Sequence, residues 1–209
     1  VTVSVVIPFQ SKDEHRLVNL GMILDYYRSE FPDWQIVIAP NRPDANLDHP
    51  AQVLADARNH GAKLATGDVL VFNDADSLVP AANVHRAVGM AEYAPGLVFA
   101  WREYLRLDRG LLRSYRDALG APAGWSMMDS LACGCSAISR DCFDKVGGFD
   151  RSWLGGFEDY DFAQRCSQLW PLRRIDGPLK HLWHPRPATE PETSPDAERY
   201  FDLYIKETT

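Results

Sequence analysis

The sequence predicts an α/β fold, with one domain built on a mostly parallel central sheet flanked by helices, and three observations carry that prediction. Val1 to Ile7 is a run of mostly β-branched residues stopped by Pro8, the pattern of a strand buried on both faces. Asp13 to Arg28 places Leu17, Leu20, Ile23, Leu24 and Tyr27 at helical spacing, and Gln35 to Ala39 follows as a short apolar run closed by Pro40. Pro50 to Ala65 repeats the pattern, with Val53, Leu54, Ala57, Gly61 and Leu64 on one helical face, and leads through Gly67 into a third strand over Asp68 to Phe72. Strands alternating with helices in this way imply a right-handed nucleotide-binding half, whose ligands sit beyond the carboxyl ends of the strands.

Further along, Pro80 to Tyr93 reads as a helix, Leu97 to Trp101 as a strand and Leu105 to Leu119 as another helix, before a loop over Gly120 to Gly124. Cys133 to Ser139 reads as a strand and Asp141 to Val146 as a short helix. Gly147, Gly148, Gly155 and Gly156 then bracket a segment carrying Trp153. Glu158 to Leu169 is helical in spacing, and Leu172 to Ile175 and Leu179 to Trp183 are short extended pieces. The domain is expected to span residues 1–184, with its nucleotide-binding half over about 1–100 and an acceptor or catalytic half over about 101–184. A tail over 185–209 follows, Pro-rich at first and then helical over Asp196 to Lys206, a piece that could pack back or support a homodimer.

With 45% of 209 residues hydrophobic, the chain can fill one core. Its net charge of −7 gives no global pull toward nucleic acid or an anionic membrane. Arg102, Arg106, Arg109, Arg113 and Arg116 recur along one segment, which a solvated face explains and a basic groove for the acceptor would also use. The four cysteines lack paired CxxC knuckles, so a zinc site is not expected, and their number fits reduced thiols. No apolar run reaches the length of a membrane span, and a cytoplasmic protein is the expectation.

Chemistry concentrates at two places. Asp74 and Asp76, in VLVFNDADS, stand two apart just after the third strand, where an extended backbone would send both carboxylates to one side. That suits a hard divalent cation, and turn capping at a strand end accounts for the same residues. Glu158 and Asp159 open a helix behind a Gly-rich loop, where backbone amides favour ionised carboxylates. One such carboxylate could take a proton from an attacking hydroxyl, and plain N-capping is the alternative.

The stretch ARNHGAKLATGDVLVFNDADS, Ala57 to Ser77, resembles the segment of family 2 and related GT-A glycosyltransferases that runs through a helix and a strand into their DxD metal motif. SVVIPFQ, Ser4 to Gln10, is similar to their first strand, and GGFDRSWLGGFEDYDFAQR, Gly147 to Arg165, to the block that ends in their Glu-Asp pair. The resemblance implies a single GT-A (Rossmann-like) domain and an enzyme that moves a sugar from a nucleotide diphosphate donor, a UDP-sugar first, to an acceptor hydroxyl with inversion. It implies that Pro8 and Phe9 lie by the base, that Arg58 reaches the base or diphosphate, and that Asp74 approaches the ribose or donor sugar and the metal. Asp76 would ligate Mn²⁺ (or Mg²⁺), Asp159 would be the catalytic base, Glu158 an acceptor-binding or orienting acid, and Trp153 a platform for the acceptor sugar, with a core tryptophan as the competing reading. His184, in HLWHPRP, falls where galactosyltransferase-like relatives provide a third metal ligand, and imidazole favours Mn²⁺. His181 is the fallback ligand, facing the other way in an extended run. Many relatives carry an Asp for uracil at the end of the second strand, where this chain has Pro40, Asn41 and Arg42.

The acceptor is left open among a glycan, a protein, a small molecule and a modified nucleic-acid base. Two other classes compete. A nucleotidyltransferase would need a Gly-rich phosphate loop after the first strand, where IPFQSKDEHR has no glycine. A non-catalytic nucleotide-sugar or carbohydrate-binding module would have no need for Asp76, Asp159 and His184 together.

Overall fold

The computed structural model describes residues 1–40, 50–109, 114–153, 156–185 and 196–204. Asn41, Arg42, Arg113, Gly155 and most of the Pro-rich tail segment lie outside the described residues.

The amino-terminal half follows the expected alternation: β1 (Val3–Pro8), α1 (Glu14–Glu30), β2 (Gln35–Ala39), α2 (Pro50–Leu64) and β3 (Val69–Asn73). β1 is buried along its whole length and pairs parallel with β2 and β3, Val5 opposite both Ile36 and Val71. The Asp13 carboxylate caps α1 by accepting from the Arg16 N–H at 3.0 Å. Leu20, Ile23, Tyr26 and Tyr27 form the inner face of that helix, whereas Leu17 and Leu24 stand outside the fully buried stripe.

In α2 the inner face is made of small residues and one long one, Ala55, Ala57, Arg58, Gly61 and Ala62, while Leu54 and Leu64 point outward. The cause is the closeness of the helix to the sheet. A Cβ added to Gly61 would lie 2.3 Å from Val6 Cγ1 and 2.7 Å from Ala39 Cβ, so this face excludes leucine.

Twelve further elements are present among the described residues. They are β4 (Ser77–Leu78), α3 (Ala81–Tyr93), β5 (Val98–Phe99), β6 (Glu103–Arg106), α4 (Tyr115–Gly120), β7 (Trp125–Met128), β8 (Cys135–Ser139), α5 (Arg140–Val146), α6 (Glu158–Leu169), β9 (Arg173–Arg174), β10 (Pro178–His181) and α7 (Ala197–Tyr204). The main sheet has the order β2-β1-β3-β8-β5-β9. Three of its five pairings are parallel, and β8 runs antiparallel to both β3 and β5. The expected α/β class and helix-flanked sheet are therefore present, in a single domain.

A second sheet, β4-β10-β6-β7, departs from expectation. It takes Leu105 and Arg106 out of the helix expected over Leu105 to Leu119, of which α4 is the helical part among the described residues. Tyr104 pairs with Leu179 of β10 and Met127 of β7, long-range ladder bonds that override a local helical spacing. Ser114 then caps α4 by accepting from the Asp117 N–H at 3.2 Å. Among the described residues, no helix is long and apolar enough to cross a membrane.

Candidate active site

β3 delivers the acidic pair, and Asn73 at its end fixes how. The Asn73 side chain accepts from the buried Tyr27 hydroxyl at 3.0 Å and donates to the carbonyls of Asp74 (2.8 Å) and Ser77 (3.0 Å). The Ser77 N–H closes a turn onto the Asp74 carbonyl at 3.1 Å. Residues 74–76 are thus a turn rather than an extended run, and the two carboxylates take different partners. Asp74 goes to Arg58 and Asp76 to the late histidines.

Asp76 lies with its Oδ1 3.6 Å from His181 Nε2 and its Oδ2 3.3 Å from His184 Nε2. One ligand atom from each of the three falls within 4.8 Å of the others, the only such His, Cys, Asp and Glu group among the described residues. β10 ends at His181, and the Leu182 N–H donates to the Asp76 carbonyl at 2.7 Å. The chain leaves the extended path there, so His181 and His184 converge with ring centroids 5.2 Å apart instead of facing opposite ways. The His184 Nδ1 lies 3.0 Å from the Pro185 carbonyl, which suits a proton on Nδ1 and turns Nε2 toward Asp76.

Burial pushes the Asp76 carboxyl up, but His181, the bond from His184 and Arg16 outweigh it and hold the group below its usual range. The bond to Asp76 raises His184, and burial lowers His181. A divalent ion fits this donor set. Neighbouring ligands of an octahedral ion with bonds of about 2.0–2.1 Å lie about 3 Å apart, close to the spacing of Asp76 from the two imidazoles. Asp74 stands outside the group.

Arg58 forms the second centre. Only 2% exposed, it donates from Nη1 to Glu158 Oε1 at 2.7 Å and from Nη2 to Asp74 Oδ1 at 2.9 Å, with its guanidinium 5.2 Å over the Phe149 ring. Burial opposes the Arg58 charge, and Asp74, Glu158 and Asp159 more than offset that and keep it protonated. Asp159 accepts from the Cys133 N–H at 3.1 Å and from the Tyr160 N–H at 2.8 Å. Burial and the neighbouring Asp159 push Glu158 up to about 7 against the pull of Arg58. Burial likewise lifts Asp159, against Arg58 and the two backbone bonds. The helix start does not hold this pair low, as expected from its dipole, because desolvation is the larger effect.

Two cavities meet at Arg16 and His181. One, of about 210 Å³, is lined by Pro8, Phe9, Val53, Ala57, Asp74 and Asp76. The other, of about 840 Å³, is lined by Arg106, Arg109, Trp125 and Tyr160, and both reach Arg16 and His181. The smaller opens beyond the carboxyl ends of β1 and β3, the position expected of a nucleotide in such a sheet.

The model of glycosyl transferase family 2 matches residues 46–147, from α2 through α5. Among solved structures, Drosophila β-1,4-galactosyltransferase 7 in complex with manganese, UDP-Gal and xylobiose is similar over 83% of this chain and 64% of that one, at 18% identity and a TM-score of 0.51. The Pyrobaculum calidifontis mannosyltransferase PcManGT, in complex with GDP-Man and Mn²⁺, is similar over 88% of this chain and 57% of that one, at 14% identity and a TM-score of 0.51. TarS of S. aureus is similar over 87% and 60%, at 13% identity and a TM-score of 0.54. This chain has the GT-A glycosyltransferase fold. It spans 57–64% of the length of these three structures. No curated protein sequence matches the chain.

Within the GT-A fold, the expected site residues separate into groups. Pro8, Phe9, Asp74, Asp76 and His184 line the cavities, and Arg58 lies behind Asp74. Glu158, expected as an acceptor-binding or orienting acid, is 3% exposed and accepts from Arg58. Trp153, expected as a sugar platform, is 0% exposed, beneath Tyr200 of α7 and with the Arg199 guanidinium 4.0 Å over its ring. Arg16 and Trp125 also line the larger cavity, and no motif around them marks them in the sequence. Arg106 and Arg109 stand out there only as part of an arginine series. That series divides: Arg102 pairs with Asp129 and Asp176, and Arg116 with Glu30.

Proposed function

We propose that this chain is a divalent-metal-dependent glycosyltransferase that moves a sugar from a nucleoside diphosphate sugar to an acceptor hydroxyl with inversion. The observation that carries the reading is the Asp76, His181 and His184 cluster at the junction of two cavities, one for a nucleotide and one for an acceptor. Asp76 and the histidines would hold the ion, Mn²⁺ ahead of Mg²⁺ because of the imidazoles. When bound, such an ion supplies positive charge against a departing diphosphate.

Pro8 and Phe9 offer the base an apolar wall, and a UDP-sugar is the first donor to test. Arg58, anchored by Glu158, holds Asp74 at the rim of the nucleotide cavity. Asp159 is the base: it takes the proton from the acceptor hydroxyl as that oxygen attacks the anomeric carbon opposite the diphosphate. Its lifted carboxyl makes the anion a stronger proton acceptor. Tyr160 and Ala132, which flank Asp159 and its Cys133 partner in the chain, line the larger cavity.

Calorimetric titration with UDP-, GDP-, dTDP- and CMP-sugars, with and without Mn²⁺, tests the reading. Metal-dependent binding of one donor, followed by its slow hydrolysis, is expected. Binding without any turnover would favour a binding module, and released pyrophosphate a nucleotidyltransferase. A product with the donor's own anomeric configuration would refute inversion.

A further inference from the structure

The larger cavity carries charge that the reading above does not use. Three guanidiniums line it, Arg16, Arg106 and Arg109, against one carboxylate, Asp108. None of the three is within ion-pair distance of a carboxylate among the described residues, although the chain as a whole carries −7. Their neighbours in the arginine series, Arg102 and Arg116, are both paired outside the cavity. The Arg109 guanidinium lies over the Trp183 ring, 4.9 Å from its centroid. A concave wall focuses such a field, so the cavity is an anion trap inside an acidic protein.

Beside the charges runs an aromatic path. Trp125, 52% exposed, meets Tyr104 edge-on at 6.1 Å, and Tyr104 meets the His181 ring at 5.4 Å. The exposed indole offers an apolar face to a sugar or polyol, and the path leads to the ligand cluster. A volume of about 840 Å³ accommodates a small ligand rather than a flat macromolecular surface.

We propose that the acceptor is an acidic small molecule or glycan end, a hydroxyl compound bearing a phosphate or carboxylate that Arg106 and Arg109 bind while its carbon skeleton lies against Trp125. This rests on the glycosyltransferase reading for the word acceptor, but not for the binding itself. Guanidinium forks match both anions, each bond being charge-assisted.

The test is calorimetric binding of glycerol 1-phosphate and glucuronate, with glycerol and methyl glucoside as neutral counterparts, to the protein saturated with UDP and Mn²⁺. The acidic probes are expected to bind and the neutral ones to bind at least about tenfold more weakly. Arg106→Gln with Arg109→Gln should weaken the acidic probes by about tenfold or more, with Arg102→Gln unchanged and near-UV dichroism confirming that each variant is folded. Equal binding of acidic and neutral probes, or no effect of the double substitution, overturns the proposal. So does binding of glycerol 1-phosphate to the protein without nucleotide that is lost when UDP and Mn²⁺ are present, because the arginines would then serve the donor diphosphate. Acidic-probe binding without any nucleotide-sugar turnover would count against the glycosyltransferase reading and support the anion site.

Discussion

Replacing Arg58 with Met keeps a long apolar stem over Phe149 while removing the cation that Glu158 and Asp74 share. Asp74 is one-third exposed and can be solvated, so its loss is small, but Glu158 is buried and has no comparable access to water. Removing one partner of a buried ion pair costs about 3–5 kcal/mol, a large share of the roughly 5–15 kcal/mol that holds a domain together. The cost depends on pH. Burial raises the folded-state Glu158 carboxyl to about 7, above its unfolded value. Its favourable contribution is therefore complete below the unfolded value and is lost as pH rises through the folded one. At about pH 5.5 Glu158 is largely protonated with or without Arg58, and the substitution should cost only about 1–2 kcal/mol for lost hydrogen bonds. At about pH 8 the full 3–5 kcal/mol should appear, a fall in melting midpoint of roughly 6–20 °C. Urea denaturation followed by far-UV dichroism at the two pH values measures this. An equal cost at both, or a cost under about 1 kcal/mol at the higher one, refutes the account.

Other expectations follow from the same geometry. Asp76→Ala and His184→Ala should abolish Mn²⁺-dependent donor binding in calorimetry, while Asp159→Asn should leave it nearly intact and remove transfer; equal loss of affinity in all three contradicts the assigned roles. Gly61→Ala, whose new methyl would meet Val6 and Ala39, should cost about 1–3 kcal/mol in a urea melt, and a neutral result would mean that α2 can lift from the sheet. Tyr200→Ala removes the ring stacked 5.0 Å from Phe157 and uncovers Trp153, so tryptophan emission should shift to the red. Unchanged emission would show that the rest of α7 shields the indole alone.

What the sequence made legible is what local pattern controls. β1, β3 and α1 announce themselves through β-branched runs, helical spacing and the Asp13 cap, and the turn after β3 marks the acidic pair. The second sheet was hidden because β6 gains its identity from β10, over seventy residues later, while its own residues also satisfy a helical period. His181 was misjudged for a related reason: its direction is set by the Leu182 bond to Asp76, a contact invisible in a linear run. Glu158 and Asp159 are legible as an acidic pair at a helix start, but a rule about helix ends cannot weigh the desolvation that a folded core imposes. Trp153 looked like a platform because nothing local showed that α7 would return to cover it.

The ligand cluster has a mechanical side as well. Asp76 and the two histidines are about a hundred residues apart along the chain, brought together by the short antiparallel contact of β4 with β10 and the Leu182 bond. An ion held there would act as a reversible crosslink closing a long loop, the kind of clip whose entropic return grows with the length it spans. Removing the ion would then slacken the edge of the second sheet and, with it, the floor shared by both cavities, so that binding of the nucleotide and the shape offered to the acceptor would be under tension from the same knot.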